Sequence, residues 1–216
     1  MMNRLIFTFS DRLAGGEDIT IEQIRSFIAI ELPDEIRQKL GELENRLKSG
    51  GQRQVRWVNP NSIHLTLKFL GDIAPDRVGE ITGAMEESAK GIPSFVLEVN
   101  GAGVFPNPKR ARVAWVGLSG EVDKLLKLQK NLETGLEPLG FAAEARDFTP
   151  HLTIARVNDG ASHEERQRFG ELVTGTKFQA GSISVDDVSL MRSRLTKAGA
   201  IYSRLSLVRL KTLSEY

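Results

Sequence analysis

The chain has 216 residues, and its 29 Lys and Arg against 28 Asp and Glu give a formal net charge of +1. This balance excludes a strongly basic protein that binds nucleic acid by bulk phosphate attraction, but it is compatible with a local basic groove. Because Cys is absent, disulfides, thiolate catalysis and cysteine-based metal sites are excluded as well. No apolar run approaches the roughly 18 residues of a membrane-spanning helix, and no long apolar stripe demands a partner chain. We expect a cytoplasmic monomer without membrane contact.

The predicted elements alternate between strands and helices along the chain. Residues 1–24 hold a short apolar run followed by charged residues and glycines, and we interpret them as an N-terminal extension. A first series is predicted as a strand at 26–30, a helix from about 34, a strand at 63–70, a helix from about 75 and a strand from about 94. A second series is predicted as a strand at 113–118, a helix from about 121, a strand at 152–155, a helix at about 162–173 and a strand at 183–190. A last strand at 201–210 precedes a C-terminal tail at 211–216.

The two series are related by a constant offset. Matching elements begin 87 residues apart, and the same offset separates His64 from His151. Two copies are too few for a solenoid. We therefore predict an α+β fold with a single domain at 25–210. It consists of two similar lobes, about 25–111 and 112–198, whose sheets face a central cleft and whose helices lie outside.

Both of these histidines are followed by Leu-Thr, a coincidence expected by chance in roughly one sequence in ten thousand of this composition. Side chains alternate between the two faces of a strand, so His64 and Thr66 share one face. His151 and Thr153 share a face in the second strand for the same reason. A twofold arrangement of the lobes predicts that both pairs line one cleft.

A basic residue follows each motif, Lys68 four residues after His64 and Arg156 five residues after His151. Strict alternation places Lys68 on the face of His64, where its ammonium could reach a phosphate, and places Phe69 on the core face. Arg156 is one residue off the parity of His151 and would point away from the cleft. We keep Lys68 and Arg156 as candidate substrate ligands, with a solvated surface charge as the alternative for each.

Paired imidazoles and hydroxyls suit acid–base chemistry on a phosphodiester. Imidazole titrates near pH 6.5, so one ring can accept a proton from an attacking oxygen while the other donates one to a leaving oxygen. The hydroxyls of Thr66 and Thr153 can donate hydrogen bonds to phosphate oxygens. Two histidines rarely complete a metal site, and neither motif strand carries a carboxylate on the His/Thr face, so we expect no metal ion and no cofactor. The third histidine, His163, begins a predicted helix and is interpreted as solvated.

These motifs resemble those of the 2H phosphoesterase superfamily, in particular the RNA 2′,3′-cyclic phosphodiesterases once called 2′-5′ RNA ligases. The segments that carry the resemblance are 25–33 (RSFIAIELP), 55–58 (VRWV), 64–71 (HLTLKFLG), 105–110 (FPNPKR), 148–156 (FTPHLTIAR) and 193–195 (SRL) with Gly199 and Tyr202. The resemblance covers about residues 25–210, whereas residues 1–24 have no counterpart.

The resemblance implies a fold, an activity and roles for individual residues. It implies a bilobal α+β fold that hydrolyses a terminal 2′,3′-cyclic phosphate, on RNA or on a small cyclic nucleotide, to a 2′-phosphate. It assigns His64 as proton donor and His151 as proton acceptor. It also favours Arg156 as a substrate ligand, because an Arg closes the second motif of the family. That role requires the strand to end or bulge before residue 156.

Two alternatives remain open from the sequence. One is 2′-5′ RNA ligation, which nearly reverses the same chemistry, although no Walker-type phosphate loop or nucleotidyl-transfer motif is present. The other is a nucleotide- or RNA-binding module without catalysis. Turnover of a small cyclic nucleotide in the presence of EDTA would distinguish an enzyme from a binding module.

Overall fold

The computed structural model describes residues 23–196 and 199–211. The helices are α1 (Asp34–Lys48), α2 (Val78–Ala89), α3 (Val122–Leu136) and α4 (His163–Thr174). The strands are β1 (Ile24–Glu31), β2 (Val55–Trp57), β3 (His64–Ile73), β4 (Phe95–Phe105), β5 (Val113–Gly120), β6 (His151–Val157), β7 (Gln179–Val185), β8 (Asp187–Thr196) and β9 (Gly199–Arg209). The interpretation of residues 1–24 as an extension falls almost entirely outside the described residues, as does that of the tail beyond residue 211.

The strands form two sheets, and each sheet takes strands from both halves of the sequence. One sheet has the order β3-β1-β8-β9, and the other has the order β2-β6-β5-β4-β7. The strand predicted at 183–190 is therefore wrong in its extent, because the chain leaves one sheet after Val185 and enters the other at Asp187. Strand β4, from the first half of the sequence, thus lies beside β5 of the second half. Strand β8, from the second half, lies beside β1 of the first half. An apolar pattern that continues across such a crossing gives no sign of it.

The helices cover one face of each sheet. In α1, Pro33 occupies the N-cap, acidic residues fill the first turn, and the apolar stripe Ile36, Leu40, Leu43 and Leu47 is buried. Helices α2 and α3 pack against each other, with α2 on β9 and α3 on β3, while α1 contacts β7 and α4 contacts β4. Each fully buried leucine contributes roughly 1.5–3 kcal/mol of transfer free energy. None of the helices described in residues 23–196 and 199–211 is long and apolar enough to cross a membrane.

The strands β3 and β6 carry the same irregularity at the same point of the repeat. In the β1–β3 ladder Ile28 pairs with Lys68 and Ala29 with Thr66, so Leu67 has no partner. In the β5–β6 ladder Ala114 pairs with Ala155 and Trp115 with Thr153, so Ile154 has none. A bulge of this kind reverses the facing of the residues that follow it, and in β3 a second bulge at Leu70, between Phe69 and Gly71, reverses it again. The first seven residues of the two strands accordingly share one sequence of half-buried, buried and exposed positions.

Each bulge leaves a carbonyl group that needs a donor from outside the ladder. The side-chain amide of Gln129 in α3 donates to the Leu67 carbonyl oxygen at 3.5 Å. The backbone N–H of Val58 donates to the Ile154 carbonyl oxygen at 2.9 Å. Hydrogen bonds from neighbouring parts of the fold therefore stabilise both bulges.

The bulge overturns the predicted facing of Lys68. Its side chain is 1% exposed and pairs with Glu133 of α3, and its ammonium also donates to the Ala142 carbonyl oxygen at 2.9 Å. The prediction that Lys68 faces the cleft is wrong, because alternation is interrupted at Leu67. Phe69, predicted in the core, is instead 62% exposed on the face of His64.

Candidate active site

The two motif histidines are fixed in the same way. The Nδ1 atom of His64 lies 2.9 Å from the Ser62 carbonyl oxygen, and that of His151 lies 2.7 Å from the Thr149 carbonyl oxygen. Because a carbonyl oxygen can only accept, each Nδ1 carries the hydrogen and donates it. A neutral ring then has its lone pair on Nε2, and a protonated ring donates from there. In both rings, therefore, Nε2 is the atom that can accept or donate a proton.

The polar residues that follow the histidines share their face of the sheet. Thr66 and Thr153 are half-buried, two residues beyond each histidine. Past the bulge, Phe69 and Arg156 occupy equivalent exposed positions on the same face. Strict alternation placed Arg156 away from the cleft, and the bulge at residue 154 that its candidate role required is present.

The sheet that carries His64 is strongly curled. His64 on β3 and Tyr202 on β9 lie on opposite edge strands, yet their ring centroids are 5.0 Å apart in an edge-on contact. Phe27 on β1 stacks on the His64 ring at 4.5 Å and meets Tyr202 at 5.2 Å. Phe27 and Tyr202 pack with Ala29 and Met191 in a small apolar cluster separate from the main core. His64 is thus enclosed by aromatic rings on the concave face.

A carboxylate that the motif strands do not supply lies beside His64. Glu31 on β1 is the ladder partner of His64, and its Oε1 accepts hydrogen bonds from Ser189 Oγ at 2.6 Å and Arg204 Nε at 2.7 Å. Burial alone would raise the pKa of Glu31, but the bonds from Arg204 and Ser189 outweigh it and hold the pKa below its usual value. The sequence could have indicated this residue, since alternation along β1 places Phe27, Ala29 and Glu31 on one face.

Burial lowers the pKa of His64 below its usual value. The hydrogen bond to the Ser62 carbonyl and the charge of Glu31 act in the opposite direction but do not cancel the effect of burial. The imidazolium form of His64 is therefore disfavoured in the unliganded protein. An anion bound next to the ring would favour that form.

The surroundings of His151 are built differently. Phe105 on β4 meets the His151 ring edge-on at 5.1 Å and lies 5.3 Å from the Trp115 ring. The Trp115 indole covers Gly103, where a Cβ would come within 2.3 Å of the ring. The ladder partner of His151 is Gly117, so no carboxylate stands where Glu31 stands beside His64.

The two motif strands come together at the junction of the sheets. Cα atoms of β3 and β6 approach within 8 Å, although the strands belong to different sheets. The charge of Arg156 on β6 reaches the Tyr202 hydroxyl on β9: burial raises the pKa of Tyr202, and the charges of Arg156 and Arg25 partly oppose that rise. The face of one sheet is thus electrostatically connected to a residue of the other.

The remaining candidates lie elsewhere. His163 is exposed in the first turn of α4, next to the Ser162 N-cap and its capping box with Glu165, as the sequence indicated. Within residues 23–196 and 199–211, no three His, Cys, Asp or Glu side chains are grouped so that they could hold a metal ion.

Residues 30–115 and 116–202 each match the family described as LigT like Phosphoesterase. The chain belongs to the LigT-like phosphoesterase family. An RNA 2′,3′-cyclic phosphodiesterase of Methanothermobacter thermautotrophicus is 35% identical over 189 residues, which cover 87% of this chain and 100% of that protein. The resemblance inferred from the motifs is confirmed.

Solved structures of this family agree with the fold. A Thermus thermophilus protein superposes with a TM-score of 0.72 and 27% identity over 88% of this chain and 100% of that one. E. coli LigT crystallised with 3′-AMP superposes with a TM-score of 0.69 and 26% identity over 88% of this chain and 99% of that one. The LigT-like phosphoesterase is therefore an α+β hydrolase with a duplicated unit, as predicted.

Proposed function

We propose that this LigT-like phosphoesterase hydrolyses the 2′,3′-cyclic phosphate at the end of an RNA to a 2′-phosphate, with His64 and His151 as the paired acid and base. The observation that carries the proposal is the repetition of one device: each histidine donates Nδ1–H to a carbonyl two residues upstream. Each therefore presents Nε2 on a face that also carries a threonine. The relatives named RNA 2′,3′-cyclic phosphodiesterase support the substrate class.

The reaction needs one proton accepted and one donated. Water attacks phosphorus and passes a proton to Nε2 of neutral His151, while the bond between phosphorus and the 3′ oxygen breaks and protonated His64 gives its Nε2 proton to that oxygen. The product is a 2′-phosphate with a free 3′ hydroxyl. Exchange of one proton with solvent at each ring restores the starting state. Thr66, Thr153 and Arg156 hold the non-bridging oxygens and offset the charge that develops there.

The lowered pKa of His64 places a condition on this assignment. A donor must be protonated when the substrate binds, whereas burial favours the neutral ring. The substrate phosphate is an anion, and its charge next to the ring raises the pKa of His64 in the complex. The enzyme in this proposal gains its acid on binding the substrate.

Product analysis tests the proposal directly. An oligonucleotide that ends in a 2′,3′-cyclic phosphate is expected to give a 2′-phosphate end, and turnover is expected to survive exhaustive chelation, because two histidines rarely suffice to bind a metal ion. A 3′-phosphate product would contradict the assignment of the leaving oxygen. Loss of turnover on chelation with recovery on adding zinc or manganese would contradict the acid–base mechanism.

An activated substrate tests which histidine is the acid. An aryl phosphodiester releases a phenolate that needs little protonation, so it is expected to restore turnover to the His64→Ala variant and not to His151→Ala. Rescue of His151→Ala alone would reverse the two roles. Rescue of neither, together with a pH profile that is not bell-shaped, would contradict the two-histidine mechanism. Joining of RNA ends without hydrolysis would favour ligation, and binding without turnover would favour a binding module.

A further inference from the structure

An exposed aromatic ring lies on the concave face beyond His64 and takes no part in the proposed reaction. Phe69 is 62% exposed, and its ring lies 6.2 Å from Phe27, which stacks on His64. The bulge at Leu67 turns Phe69 out of the core onto this face. A single exposed apolar residue is ordinary on a protein surface, but this ring lies beside a site proposed to act on RNA, where a base can stack on it.

A cation lies next to this ring along the same face. Arg25 lies two residues before Phe27 on β1 and therefore on the same face, and it pairs in the ladder with Asp72, two pairs beyond that of Phe27 with Phe69. The Arg25 side chain is exposed and forms no ion pair or hydrogen bond with any described side chain or backbone group. Its charge also acts on the Tyr202 hydroxyl, and the Tyr202 ring contacts Phe27 on the same face.

We infer that Phe69 and Arg25 form a subsite for the nucleotide on the 5′ side of the terminal one, with the base stacked on Phe69 and the linking phosphate held by Arg25. This subsite rests on the proposed function, since it extends the same RNA chain. Aromatic stacking together with a nearby cation is the usual arrangement for single-stranded nucleic acid.

Spacing along β3 favours the neighbouring nucleotide over the terminal one. Phe69 lies three residues after Thr66, a proposed ligand of the reacting phosphate, but the bulge takes up one of these steps. The ladder partners of Thr66 and Phe69, which are Ala29 and Phe27, are two residues apart, or about 7 Å along a strand. Phe27 is buried, and the half-buried ring of Tyr202 supplies the apolar surface closest to His64. The terminal nucleoside is therefore expected to meet Tyr202, and Phe69 the next base.

A comparison of two substrates tests the subsite. We expect the wild type to have a higher kcat/KM for a trinucleotide ending in a 2′,3′-cyclic phosphate than for a 2′,3′-cyclic mononucleotide. The ratio of the two values is expected to fall about tenfold in Phe69→Ala, because one stacked base contributes a factor of this order. Phe69→Trp is expected to keep the ratio. In Arg25→Gln the dependence of log KM on log salt for the trinucleotide is expected to weaken by about 0.7.

An abasic nucleotide identifies the base that is stacked. Removing the base next to the terminal one is expected to lower kcat/KM for the wild type by the same factor as Phe69→Ala, and to have no further effect in that variant. Leu126→Ala and Lys130→Gln, exposed positions on the outer helix α3, serve as matched controls and are expected to keep the wild-type ratio.

Three outcomes contradict the subsite. An unchanged ratio in Phe69→Ala would remove this residue from RNA binding. An equal fall for both substrates would assign the ring to the terminal base. An abasic effect that persists in full in Phe69→Ala would place the neighbouring base elsewhere. If the wild type hydrolyses neither substrate, it is the proposed function that fails, and this result is distinct from turnover without a preference for the longer chain.

Discussion

His64 and His151 occupy equivalent positions on β3 and β6, with the same bond from Nδ1 to a carbonyl and the same bulge three residues later. Their surroundings differ. Phe27 and Tyr202 enclose His64, which has Glu31 as its ladder partner, whereas His151 meets Phe105 and has glycine as its ladder partner. Duplication thus supplied two copies of one backbone device. The side chains on neighbouring strands give the two copies different electrostatic environments, which the proposed division into an acid and a base requires.

The largest expected effect comes from removing either histidine. His64→Ala and His151→Ala are each expected to lower kcat by roughly 10²–10⁴-fold while the fold stays intact, because each removes one proton transfer. The double variant is expected to be far less impaired than the product of the two effects, since the residues act as a unit. Steady-state kinetics on a cyclic nucleotide measures this.

The third histidine provides the control for that experiment. His163→Ala is expected to keep wild-type kcat, because His163 is exposed at the start of α4. If His64→Ala or His151→Ala keeps more than about half of wild-type turnover, that histidine does not belong to the mechanism.

The residues after the two bulges offer a test of stability. Lys68 forms a buried ion pair with Glu133, whereas the equivalent residue on β6 is Ala155. Lys68→Ala would give β3 the same residue that β6 has at this position, but it would leave the Glu133 carboxylate without its cation. The free energy of unfolding is therefore expected to fall by about 3 kcal/mol. Adding Glu133→Gln removes that charge and is expected to recover part of the loss. Urea denaturation measures both, and a loss below about 1 kcal/mol for Lys68→Ala would contradict the buried pair.

Helices α1 and α3 provide a second contrast. Position 44 of α1 is a glutamate, whereas the equivalent position of α3, 87 residues later, is the neutral Asn131. The Glu44 side chain is 1% exposed, Lys48 pairs with one of its oxygens, and Oε1 has no hydrogen-bond partner among the described residues. Burial raises the pKa of Glu44 from 4.5 to about 7, although Lys48 opposes the rise. A raised pKa in the folded state means that stability is lost as pH rises from 4.5 and that the loss is complete above about 7.

Glu44→Gln tests this contrast. The variant is expected to be more stable than the wild type by about 2–3 kcal/mol at pH 8, and the difference is expected to disappear below pH 4.5. Denaturation at both pH values measures the difference. A stabilisation that does not depend on pH would show that the charge of Glu44 is not its source.

The smallest expected effect concerns Glu31, a carboxylate beside His64 that has no counterpart beside His151. Glu31 raises the pKa of His64 against the effect of burial, so Glu31→Gln is expected to lower that pKa further. If His64 is the acid, the alkaline limb of the kcat/KM profile moves to lower pH. Arg204→Gln leaves the Glu31 charge less compensated and is expected to move the same limb to higher pH. Glu86→Gln, exposed on α2, is the control.

The direction of these shifts tests the assignment of roles. Movement of the acidic limb in Glu31→Gln would make His64 the base. An unchanged profile in both variants would show that Glu31 does not act on the ring. Asp187 interacts electrostatically with both Glu31 and Arg204: burial raises the pKa of Asp187, the charge of Arg204 opposes that rise, and the charge of Glu31 adds to it. The pH profile of kcat/KM for Asp187→Asn therefore separates the effect of Asp187 on His64 from that of Glu31.

The repeat, the two motifs and the placement of nearly every helix and strand could be predicted from the sequence, because apolar periodicity and a constant offset are local properties that the chain displays directly. The face of His64 and Thr66 followed from alternation over two residues. The family followed from the same short segments and is confirmed.

Three features were decided only by the tertiary structure. The bulges at Leu67 and Ile154 depend on which strands pair and on donors from Gln129 and Val58, so alternation failed for Lys68 and Phe69 just beyond the first bulge. The exchange of strands between the sheets and the approach of Glu31 and Tyr202 to His64 arise from long-range pairing and from the curl of a sheet. Periodicity reports which side of a strand is apolar, but it carries no information about which strand lies beside it or where the ladder skips a residue.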